Sequence, residues 1–102
     1  MEIVWSKLAL ITYKEIFENL QFRWTKKEMR KFRDLTQSLL QKIATQQITC
    51  PVVNEKLSIR KAVVHKNVSF YYREDISAQK IYIITFFNNR MNPKTLNKLL
   101  RE

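Results

Sequence analysis

Apolar positions recur at intervals of three and four through the first half of the chain and at intervals of two through the second, with the change falling near Ser58. Glu2 to Trp5 is a short apolar start that reads as a strand. Ser6 is placed to cap a helix whose apolar side is Ala9, Tyr13, Ile16, Phe17 and Leu20. A second helix is announced by Thr25-Lys26-Lys27-Glu28, a capping box in which the Thr25 hydroxyl and the Glu28 carboxylate each accept from the other's backbone amide. Trp24 and Met29 flank it as a hydrophobic staple. Met29, Phe32, Thr36, Leu39 and Ile43 then carry the helical spacing, widened by Leu35 and Leu40. The short connection from Gln21 to Trp24 predicts that the two helices form an antiparallel hairpin.

Residues Thr45 to Leu57 lack periodicity and contain Pro51, which removes a ladder donor, so a connecting loop is expected. Beyond it, Ile59 to Val64 and Val68 to Arg73 read as strands with a return near His65-Lys66-Asn67. Val68, Phe70 and Tyr72 fall on one face, and Ser69, Tyr71 and Arg73 on the other. A turn over Asp75 to Gln79 leads into a last strand, Lys80 to Phe87, apolar on both sides. Asn92-Pro93 opens a short C-terminal helix lined by Leu96, Leu99 and Leu100. The predicted class is α+β: an N-terminal strand and an antiparallel helical hairpin packed on an antiparallel three-strand meander, closed by a short helix, in a single domain over residues 1–102.

Composition narrows the function. Nineteen Lys and Arg against nine Asp and Glu give a net charge of +10, which suits nucleic acid, an acidic protein or an anionic surface as partner. The apolar runs are too short to cross a bilayer and the N-terminal residues do not have the form of a secretory signal, so a cytoplasmic setting without membrane is expected. One cysteine and one histidine supply neither a disulfide nor an ordinary zinc site, so no metal or cofactor is expected, and Cys50 reads as a loop or core thiol. The chain has no glycine, which excludes a Gly-rich phosphate loop. Its tight turns fall to Asn, Asp and Ser. The cations of the second helix, Lys26, Lys27, Arg30, Lys31 and Arg33, read as its solvated face.

On the sheet, Arg60, Lys61, Lys66, Arg73 and Arg90 form a run of cations suited to an anionic target, with Tyr71 as an exposed aromatic beside them. Ribonucleolytic chemistry through a 2′-hydroxyl needs a base, an acid and cations at the phosphate. Arg60, His65, Arg73 and Arg90 are the candidates for such roles, His65 as a general base beside Lys66 or simply as a turn residue.

Several stretches carry a resemblance. Ile3-Val4-Trp5-Ser6 leading to Ala9, the Trp24-Thr25 helix entry, Ile59-Arg60-Lys61, Val68-Ser69-Phe70-Tyr71-Tyr72-Arg73 and Ile83-Ile84-Thr85-Phe86-Phe87-Asn88-Asn89-Arg90 together resemble the RelE/ParE toxins of bacterial type II toxin-antitoxin systems, associated with plasmid stabilisation. The resemblance implies a growth-arresting toxin neutralised by an antitoxin, with Leu96, Leu99 and Leu100 as antitoxin contacts. It also implies one of two targets: DNA gyrase for ParE-like members, or the ribosome and its mRNA for RelE-like endoribonucleases. Ala62 and Ser69 stand where the ribonuclease pattern has cations, and no Tyr follows in the C-terminal helix. These departures favour the ParE-like branch. A degenerate toxin and a non-toxic basic nucleic-acid-binding module are the remaining readings.

Overall fold

The computed structural model describes residues 1–21, 23–65 and 67–88. Strand β1 (Glu2–Trp5) leads into helices α1 (Lys7–Leu20) and α2 (Lys26–Ala44), followed by strands β2 (Val52–Asn54), β3 (Ile59–His65), β4 (Val68–Asp75) and β5 (Lys80–Asn88). The strands form one sheet in the order β1-β5-β4-β3-β2, antiparallel except for β1 against β5. The α+β class, the hairpin and the meander are those the periodicity predicts. Asn92-Pro93 and the helix expected after them lie outside the described residues, as do Lys66 and Arg90.

Both helices start where their caps place them. Ser6 Oγ accepts from the Ala9 amide at 2.9 Å, and Thr25 and Glu28 make both halves of the capping box, at 3.2 and 3.3 Å. The Trp24 ring turns onto Phe32 and His65. Tyr13 and Phe17 meet Phe32 from α1, which joins the two helices by aromatic contact over the sheet. Beneath them Ala62, Val68, Phe70, Tyr72, Ile81, Ile83 and Phe86 complete the main core.

A bulge explains why the last strand is apolar on both sides. Tyr72 pairs with Ile83 and Tyr71 with Thr85, so Ile84 is an extra residue that shifts the alternation. Ile81, Ile83 and Phe86 consequently all reach the helix side, while Ile84 and Phe87 join Ile59 and Tyr71 in a second cluster on the opposite face.

β1 covers β5 only as far as Ile83. From there the edge of β5 is satisfied by side-chain hydroxyls. Ser6 Oγ donates to the Ile84 carbonyl at 2.8 Å, and Thr12 Oγ1 accepts from the Phe86 amide at 2.9 Å while donating to Leu8. These bonds hold α1 along the strand.

Two expectations about connections need correcting. The segment expected to be a loop contains β2, three residues directly after Pro51. Its place at the sheet edge is what Pro51 permits, since an edge strand needs donors on one side only. Among the described residues, those at positive φ are Gln46, Ser58 and Gln79, so glutamine takes two of the turn positions expected of Asn, Asp or Ser. Asn54 and Asp75 act earlier in their turns, accepting from the Leu57 and Ala78 amides at 2.9 and 3.0 Å. The Gln79 side chain donates to the Ile76 carbonyl and fastens its own left-handed residue.

Candidate functional site

Cross-strand pairing assigns the candidate residues to faces. Lys61 pairs with Tyr71 and Arg73 with Tyr82, placing all four on the sheet face away from the helices. Arg60 pairs with Tyr72 and belongs to the helix side, where its Nη1 donates to the Cys50 carbonyl at 2.7 Å. The Tyr72 hydroxyl accepts from the Cys50 amide at 3.2 Å. Arg60 and Tyr72 thus clamp the loop before β2 from both sides. Burial pushes the Tyr72 phenol well above its ordinary range.

On the face away from the helices, Arg73 is exposed and its guanidinium lies 5.9 Å from the centre of the Tyr82 ring, within cation–π range. Lys61 is half-buried. Between and beside them Ile59, Tyr71 and Phe87 are buried in a second cluster, with Ile84 packed against them. Tyr71 is therefore a correction. At 4% exposure it is not an aromatic offered to a partner, and burial raises its phenol as it does that of Tyr13. The cause is the second cluster, which gives Tyr71 apolar neighbours from β3 and β5 that alternation alone does not reveal.

Ser69 is fully buried, and its hydroxyl has no hydrogen-bond partner among the described residues. Ala62 is buried on the helix side. Neither position presents a side chain where a cation could reach a phosphate. Among the described residues, the face away from the helices brings together Lys61, Arg73 and Tyr82 but no base, acid and cation set around one point.

His65 is also displaced from that face. A register shift between Val63 and His65 brings Val64 onto the main core and the imidazole against the Trp24 ring, with centroids 4.8 Å apart. Its Nδ1 is buried without a partner among the described residues. A hollow of about 120 Å³ lies there, lined by Trp24, Glu28, Lys31, Phe32, Leu35 and His65. The sequence offers His65 as a base or a turn residue. The contact with Trp24 depends on a bulge and on the helical hairpin, neither of which local pattern reports.

A larger groove of about 450 Å³ runs between the helices, floored by Phe17 and Met29 and rimmed by Lys26, Arg30 and Arg33. The α2 cations are exposed, as their helical positions predict, and Arg33 meets its neighbour Asp34 at 3.5 Å. An exposed pair of that kind neutralises little of the surface field.

No family model matches the chain, and no curated protein does. The fold is similar to that of a metal-bound toxin from Helicobacter pylori: the TM-score is 0.64 at 14% identity, over 88% of this chain and 96% of that one. Among the described residues of this chain, no three of His, Cys, Asp and Glu gather into a set of metal ligands, and no helix is long and apolar enough to cross a membrane.

Proposed function

We propose that this chain is the toxin of a toxin–antitoxin pair, that it arrests growth by binding a macromolecular target through the cations on the sheet face away from the helices, and that an acidic antitoxin neutralises it. The likeness in fold to a bacterial toxin supports the general reading, together with the net charge of +10. For the kind of toxin, one observation carries the choice: Ser69 and Ala62, which stand where a ribonuclease of the RelE kind has cations, are both buried. Lys61, Arg73 and Tyr82 remain as a contact surface, with Lys66 and Arg90 as further candidate contacts. A surface without an assembled acid–base set fits a ParE-like gyrase poison better than an endoribonuclease.

Induced expression in bacteria tests the toxin role. Growth should stop, and purified protein should trap cleaved DNA on gyrase. Replacing Lys61 and Arg73 together by Ala should weaken target binding about tenfold, equivalent to ~1.4 kcal/mol, with the melting temperature nearly unchanged. Cleavage of message on translating ribosomes, with gyrase unaffected, would assign the chain to the ribonuclease branch.

A further inference from the structure

The groove between the helices differs from the rest of the helix surface in what lines it. Lys26, Arg30 and Arg33 follow one another at spacings of four and three, which puts them on one stripe of α2. Charges of one sign at those spacings repel each other along a helix. Among the described residues neither Lys26 nor Arg30 meets an acid, and the exposed Asp34 beside Arg33 offsets little of the row. Lys27 and Lys31, on the same helix, are not among the lining residues.

The row borders apolar side chains from both helices. Phe17 comes from α1, its ring meeting those of Tyr13 and Phe32 edge-on, and Met29 comes from α2. Both are half-buried, so part of each stays open to the groove. A methionine side chain adapts its shape to what lies against it. At about 450 Å³ the groove falls within the range of small-molecule sites, ~300–1,000 Å³, and is far larger than a simple inorganic anion fills.

The lining also limits the chemistry. Lysine and arginine side chains donate hydrogen bonds and accept none, and those of phenylalanine and methionine offer no strong acceptor. Among the described residues the groove therefore has no side-chain acceptor for the N–H or O–H groups of a nucleobase, a sugar or an extended peptide. What matches it is a molecule that accepts at one end and is apolar along the rest.

We propose that this groove binds one molecule of a free long-chain fatty acid, its carboxylate held by Arg30 and Arg33 with Lys26 beside them and its alkyl chain laid along Phe17 and Met29. The planar guanidinium fork matches the two oxygens of a carboxylate. The site lies in the helix layer, and neither Lys61 nor Arg73 lines it. The inference thus goes beyond the toxin reading and does not depend on it.

The test titrates the whole chain with dodecanoate below the concentration at which it forms micelles, followed by calorimetry and by NMR of the Met29 methyl and the Phe17 ring. One molecule should bind per chain, with saturable shifts at both residues. Octanoate, four methylenes shorter, should bind roughly a hundredfold more weakly, and dodecyltrimethylammonium should not bind. Arg30→Gln with Arg33→Gln, and separately Met29→Gln, should each weaken dodecanoate binding tenfold or more. Lys27→Gln with Lys31→Gln removes the same charge from the same helix away from the groove and should leave binding unchanged; circular dichroism checks that every variant folds. Affinity that follows net charge whichever pair is replaced, or that ignores chain length, would overturn the proposal. So would binding to phosphatidylglycerol vesicles without saturable binding of free dodecanoate, or pairing of two copies through Met29 in its place.

Discussion

On the helix-covered face of the sheet, Phe70, Tyr72, Ile83 and Phe86 are buried under Tyr13 and Phe32; the Tyr72 phenol has a backbone partner, while the buried Tyr13 hydroxyl has none among the described residues. On the opposite face, Ile59, Tyr71 and Phe87 are also buried but form a small cluster, and the Ser69 hydroxyl beside them has no partner among the described residues. The same strands supply both faces. The first face is organised for packing, while the second combines packing with Lys61 and Arg73 at its margins. Burial alone therefore does not distinguish the two faces; the placement of charge at the rim does.

The largest effect should come from cutting the helix-side core. Phe70→Ala should cost ~3–5 kcal/mol in urea unfolding, because a fully buried ring between two layers leaves a cavity that cannot collapse. Tyr71→Ala in the smaller cluster on the opposite face should cost less, about 2 kcal/mol. Equal costs would mean that the two faces are one core in energetic terms.

Ser69→Arg comes next. Installing the cation that a ribonuclease would carry forces a charge into a site with no exposure, and a loss of roughly 3 kcal/mol or more is expected in the same unfolding assay. Ser69→Ala should be neutral or slightly stabilising, since the hydroxyl has no bond to lose among the described residues. Full stability of the arginine variant, with new cleavage of RNA, would reopen the catalytic reading of this face.

Tyr72→Phe should cost about 1 kcal/mol by leaving the Cys50 amide without its acceptor. The smallest effects belong to pH. The phenols of Tyr13, Tyr71 and Tyr72 are all raised by burial, so each binds its proton more tightly in the folded chain than in the unfolded one. Their contribution is fully present below about pH 10, the ordinary value, and is lost as pH rises through the folded values. Phenolate absorbance followed with circular dichroism should show these tyrosines ionising together with unfolding.

Much of the fold is legible in particular residues. Thr25 and Glu28 announce α2 because a capping box uses only local groups, and Val68, Phe70 and Tyr72 declare a strand because its period is two. The bulge at Ile84 is hidden because it is a matter of register between strands. β2 is hidden because three residues after a proline look like loop. At the candidate site, the cationic character of Lys61 and Arg73 is readable, but the departure of Arg60 to Cys50, of His65 to Trp24 and of Tyr71 into the second cluster is not. Each depends on partners distant in the chain or on a shift in strand phase, which a local pattern cannot contain.

The parallel pairing of β1 with β5 has a consequence for synthesis. Glu2 meets Lys80 and Trp5 meets Ile83, so the first strand made waits for one of the last. Until Lys80 to Ile83 leave the ribosome, Ile3 and Trp5 have no strand to lie against, and Ser6 and Thr12 have no strand edge to bond. Such distant closure slows folding. The sheet face that carries Lys61, Arg73 and Tyr82 is also completed only at that step, because Tyr82 belongs to β5. A nascent chain still on its ribosome thus lacks both the sheet edge that Ser6 and Thr12 bond and the strand that sets Tyr82 beside Arg73.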